Sequence, residues 1–171
     1  MARKRKSVRD QIERTLPSTK ENAWYKKFGK GLSPAAAERG QHRIRFRKPR
    51  KGERIALHTH TANSLLPSAK DILGFIHQMP YGITTSVIVC ASGKRVKGYT
   101  IMKAGKNVQL KKMYYYMKEI LAEKVPTSEK GKKSHARRIK SALTRYGFNV
   151  RIISMPGFAP ETPWKQRKKR T

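Results

Sequence analysis

The feature that most constrains this chain is the passage from ERIALHTH, residues 53–60, into SAKDILGFIHQM, residues 68–79. The first stretch reads as a strand, and period-two alternation sends the side chains of His58 and His60 to one face. The second reads as a helix, with Ser68 at the cap, Asp71 three residues on, and Ile72, Leu73, Phe75, Ile76 and Met79 facing inward. Seven residues separate His60 from Ser68. A loop of that length can turn the chain back, so that the first helical turn offers a carboxylate to the same point as the two imidazoles. Three protein ligands leave the fourth tetrahedral position for water, the arrangement of a catalytic rather than a structural zinc. Taken singly, the residues are unremarkable: Ser68 and Asp71 make a capping box, and one histidine on a strand is ordinary. Their joint spacing singles them out.

The rest of the sequence alternates strand and helix patterns. Val8, Ile12 and Leu16 predict a short helix that Pro17 ends. The stretch ENAWYKKF predicts a strand before Gly29, Gly31 and Pro34 break the pattern. QHRIRFR, residues 41–47, alternates with period two and is expected to form a hairpin with ERIALHTH across RKPRKG. ITTSVIV and RVKGYTIM predict strands joined by a short turn at residues 91–94. Leu110, Met113, Tyr114, Met117, Ile120 and Leu121 form one helical stripe, read as core. PTSEKGKKS is expected to be a polar linker before a helix through Ala136, Ile139, Leu143 and Tyr146, ended by Gly147, and FNVRIISM predicts a last strand. The order implies an α/β sandwich of one sheet with its helices. A chain of 171 residues suits one core domain, here residues 20–155, with basic extensions over 1–19 and 156–171.

Charge constrains the partner. Lys and Arg number 41 against 10 Asp and Glu, a formal charge of +31. Such a field attracts a polyanion, nucleic acid or an acidic protein surface, with strong salt dependence. The candidate contacts are Arg3, Lys4, Arg5 and Lys6 at the start and Arg43, Arg45 and Arg47 along a strand. Lys132, Lys133, Arg137 and Arg138 follow in the linker and late helix, with Lys168, Lys169 and Arg170 at the end. The longest apolar stretch, around Ile83 to Ala91, is too short for a bilayer, and no secretory signal pattern follows the basic start, so an intracellular or virion protein is expected. The single Cys90 excludes a disulfide framework and a multi-cysteine zinc finger, and reads as a buried thiol. His77 and His135 have no partner at ligand spacing and read as helix-surface residues.

LHTHTANSLLPSAKDI resembles the JAMM motif of MPN-type deubiquitinating and related zinc peptidases, and the resemblance extends over roughly Glu21 to Lys124. It implies that His58, His60 and Asp71 bind zinc and that Ser68 helps stabilise the developing oxyanion. It further implies an upstream glutamate as general base for the attacking water, with Glu21 the first candidate, Glu38 the second, and Glu53 too close along the same strand. The implied activity is that of a peptidase or isopeptidase, or of a pseudoenzyme keeping the fold. The competing expectation is a non-catalytic subunit of a large assembly: a viral minor capsid protein, or a ribosomal or nucleoprotein component.

Overall fold

The computed structural model describes residues 7–16, 21–39, 44–60, 65–124 and 126–155, with the backbone alone for 37–39 and 129. Eight strands and four helices are described: α1 (Val8–Glu13), β1 (Ala23–Lys27), β2 (Leu32–Pro34), β3 (Ala36–Arg39), β4 (Ile44–Phe46), β5 (Glu53–His60), α2 (Ala69–Gln78), β6 (Thr85–Ser92), β7 (Arg95–Ala104), α3 (Leu110–Ala122), α4 (Glu129–Arg145) and β8 (Phe148–Ser154). Six strands form one mixed sheet in the order β2-β1-β5-β6-β7-β8, and β3 and β4 form a separate pair. Only β5 and β6 run parallel among the paired strands, and α2 makes the crossover between them. The class is therefore α/β, as the alternating patterns predict.

Alternation along the central strands builds two cores. Ala23, Tyr25, Ala56, Ile88 and Met102 pack with Ile72, Phe75, Met113, Met117, Ile139 and Leu143 of the helices α2, α3 and α4. The intervening residues Trp24, Leu57, Val89 and Val96 point to the other face and pack with Ile12 of α1. At six residues α1 is too short to persist alone. Burying the Ile12 side chain completely contributes roughly 2 kcal/mol and holds it on the sheet. Residues 7–16, read from the sequence as part of a basic arm, thus belong to the packed body.

Four other expectations are corrected. The strand in QHRIRFR pairs with β3 rather than β5, because both edges of β5 are taken by β1 and β6. The stretch read as broken after Gly29 holds β2 and β3: Gly29, at φ 67°, turns the chain so that β2 can pair with β1. PTSEKGKKS is not a linker throughout, since Ser128 caps α4 through its hydroxyl, which accepts the Gly131 N–H at 3.1 Å, and KGKKS lies inside the helix. Leu121, placed in the α3 stripe, is 41% exposed at the end of that helix. Cys90 is buried, as expected, and burial pushes its thiol up to about 11. No helix among the described residues is long and apolar enough to cross a membrane.

Candidate metal centre

The site forms where β5 ends and α2 begins. His58 and His60 project to the α2 side of the sheet, and the Ser68 cap sets the first turn of α2 beneath them. The cap is a full capping box: Ser68 Oγ accepts the Asp71 N–H at 3.2 Å, and Asp71 Oδ2 accepts the Ser68 N–H and hydroxyl, each at 2.7 Å. Fixed in this way, Asp71 holds Oδ1 at 3.1 Å from His58 Nε2 and Oδ2 at 3.4 Å from His60 Nε2. The two Nε2 atoms stand 3.1 Å apart. Bonds of about 2.0–2.1 Å in a tetrahedron separate neighbouring ligand atoms by roughly 3.3–3.4 Å. His58 Nε2 lies 3.1 Å from both His60 Nε2 and Asp71 Oδ1, a little under that requirement, while the 3.4 Å contact of His60 is to the other carboxylate oxygen, Oδ2. A single ion fits this donor set.

Electrostatics agree with the geometry. Burial by itself would raise the Asp71 carboxyl, but hydrogen bonds from His58 and His60 hold it well below its usual range, so it is an anion at neutral pH. His58 is buried, and Phe46 of β4 meets its ring edge-on at 6.0 Å between centroids. Apolar contact on one side and a carboxylate on the other direct Nε2 toward the shared point.

A cavity of about 380 Å³ opens over these donors and is also lined by Glu21, Lys70, Gly74, Phe75, Gln78 and Ser86. Strand register explains why Glu21 is there. Ala23 pairs with His58, and Thr59 and Asn22 exchange bonds, Thr59 N–H to the Asn22 carbonyl at 2.9 Å and Asn22 N–H to Thr59 Oγ1 at 2.9 Å. The same antiparallel course brings Glu21, just before β1, to the end of β5 that carries His60, and both line the cavity. Glu53 sits at the other end of β5, consumed by Arg47 at 2.7 Å, Ser33 at 2.8 Å and the Arg50 N–H at 2.7 Å. Glu38 lies on β3, with its side chain outside the described residues.

Two cavity residues escape sequence reading. Gln78 lies two turns along α2 from Asp71, and its Oε1 is buried with no hydrogen-bond partner among the described residues. Gly74, in the middle of the helix, carries a cost of up to ~1 kcal/mol relative to alanine. A Cβ there would meet nothing within 4 Å, so packing does not demand the glycine. The legible signal was an unexplained glycine inside a strongly helical pattern.

The basic candidates divide. Arg3, Lys4, Arg5, Lys6, Arg43, Lys168, Lys169 and Arg170 lie outside the described residues. Lys132, Lys133 and Arg137 are exposed along α4, as is Arg45 on β4. Arg138 forms a two-pronged pair with Glu123, both contacts at 2.7 Å. Arg47 is turned inward onto Glu53, with its guanidinium 4.8 Å from the centre of the Tyr25 ring. His77 is exposed on α2 and His135 partly so on α4.

Compared with family models, with curated proteins and with solved structures, the chain matches none. The geometry just described gives a group that could hold a metal ion and names no family.

Proposed function

We propose that this chain is a zinc-dependent hydrolase of JAMM type, a peptidase or isopeptidase, carried on a basic protein that sits within a nucleic-acid-rich assembly. The observation carrying the reading is the convergence of His58, His60 and Asp71, one donor atom of each within 4.8 Å of the others, in one cavity with Glu21. Zinc, when bound, supplies Lewis acidity that polarises a carbonyl and makes water a nucleophile at neutral pH. His58 and His60 would hold it through Nε2 as neutral imidazoles, and Asp71 as the anionic third ligand. Glu21 would take a proton from the attacking water and return it to the leaving nitrogen. Ser68, whose hydroxyl now donates to Asp71, would turn that proton toward the developing oxyanion. Gln78 Oε1 would accept a substrate N–H.

The basic surface fits the second half of the proposal. Lys132, Lys133 and Arg137 present cations from a helix whose other side, Ile139, Ala142 and Leu143, is buried in the core. Such a face positions the chain on phosphates without reading a sequence.

The test separates binding from chemistry. Glu21→Gln should keep zinc at wild-type stoichiometry while hydrolysis of an isopeptide-linked substrate by the zinc-loaded protein falls at least ~100-fold. Loss of zinc together with activity would make Glu21 part of the metal's support rather than the base. A zinc-loaded wild type that hydrolyses no such bond would refute the enzymatic half.

A further inference from the structure

The side of α2 turned away from the metal centre borders a second cleft. At 100° per residue, Ile76 leaves the helix roughly opposite Asp71, Gly74 and Gln78, and His77 about 90° round from their mean direction. There they meet the turn at Met79–Tyr81 and the start of α3 around a cavity of about 450 Å³, lined among others by His77, Pro80, Tyr81, Lys111, Tyr114 and Tyr115. Its walls are rings: Tyr114 stands edge-on to His77 and to Tyr115, each at 5.6 Å between centroids. Tyr81 is 50% and Tyr115 55% exposed, so two of the four large exposed hydrophobics among the described residues flank this one cleft. Cations border it and no acid lines it. Lys48 Nζ lies 4.8 Å from the centre of the Tyr81 ring, and the exposed Lys111 lines the cleft.

We propose that this cleft between α2 and α3 is a nucleobase-binding site for single-stranded nucleic acid, with a base stacked on Tyr81 or Tyr115 and the flanking phosphates on Lys48 and Lys111. Charge complementarity selects the occupant: a chain of +31 concentrates phosphodiesters at its surface. Exposed tyrosine faces interleaved with lysines are what a strand with unpaired bases recognises. A duplex hides its base faces within the stack and leaves the rings without a partner. The cleft and the metal centre share no lining residue, so neither reading depends on the other.

The experiment compares a short fluorescein-labelled oligouridine and an oligodeoxythymidine with an abasic strand of equal length and charge, each titrated with the full chain at two salt concentrations. The base-bearing strands should bind at least ~10-fold more tightly than the abasic one. Tyr81→Ala and Tyr115→Ala should each remove most of that margin without changing the salt slope, whereas Lys111→Ala should lower the slope by about one unit. Photo-crosslinking of a bromouridine-containing strand to the wild type, which needs no variant, should place adducts on Tyr81, Tyr114, Tyr115 or His77. RNA alone or DNA alone showing the margin would still support the site and name the strand. Equal affinity for the abasic strand, adducts only elsewhere, or a cleft that binds a proline- or aromatic-rich peptide and not the strands would overturn it.

Discussion

The chain uses one local device twice, at two helix starts. Ser7 and Asp10 open α1 with a capping box, and Ser68 and Asp71 open α2 with another of the same spacing. At α1 both residues are exposed: the Ser7 N–H donates to Asp10 at 3.0 Å, the Asp10 N–H donates back at 3.1 Å, and the carboxyl is lowered by those Ser7 hydrogen bonds. At α2 the same box is roofed by β5, and the oxygen left over by the cap faces His58. The sequence pattern Ser-x-x-Asp therefore specifies a helix start and nothing more. What converts a cap into a metal ligand is the strand end placed above it.

Several substitutions sharpen that contrast. Asp71→Ala should lower zinc affinity by more than ~100-fold, since even residues that only support a ligand cost 10–100-fold, while Asp10→Ala should leave it unchanged. Asp71→Asn keeps a capping oxygen and should still lose most of the affinity, which isolates the ligand role from the cap. A competitive zinc titration of the variants reads this directly. Equal losses for Asp10 and Asp71 would show that folding, not ligation, is being measured.

Next in size is the acid response of the other end of β5. Burial would raise the Glu53 carboxyl, but Arg47, the Arg50 N–H and Ser33 together bring it down to about 2. A carboxyl lowered in the folded state stabilises the fold above its unfolded value and loses that contribution as pH falls through the folded one. Denaturation curves should thus lose on the order of 2 kcal/mol between pH ~4.5 and pH ~2 in metal-free protein, and Glu53→Gln should remove most of this dependence. A variant with the wild-type slope would assign the acid sensitivity elsewhere.

The smallest effects return to the two serines. Ser7→Ala and Ser68→Ala should each cost about 1 kcal/mol in chemical denaturation. Only Ser68→Ala should also weaken zinc, by roughly 10-fold, because it removes hydrogen bonds that orient Asp71. Indistinguishable zinc affinities would mean that the α2 box has no part in setting the carboxylate.

Legibility followed the range of the interaction. α2, α3, β5, β6, β7 and β8 were readable because their periodicity is local and strong, and so was the pairing of His58 with His60 on one face. The start of α4 was hidden by the charge of EKGKKS, which looks like a linker although Lys and Glu are good helix formers. β3, with the sequence AAER, carries no strand propensity and is held by pairing with β4. The sequence ranks Glu21 before Glu38 and sets Glu53 aside, but it does not place any of them against the histidines. That placement depends on the β1–β5 register, which brings the residues just before Ala23 to the histidine end of β5, and on Arg47, which turns inward to occupy Glu53. Arg47 also shows how an alternating basic strand misleads: its neighbour Arg45 is exposed, while Arg47 belongs to the interior network.

The central claim is that His58, His60 and Asp71 together hold one ion, and X-ray absorption at the zinc edge on protein loaded with a single equivalent tests it most directly. The account predicts a nitrogen- and oxygen-only shell at about 2.0–2.1 Å with the outer-shell signature of two imidazoles, reduced to one in His60→Ala. A sulfur scatterer at about 2.3 Å, or an unchanged spectrum in His60→Ala, would contradict it.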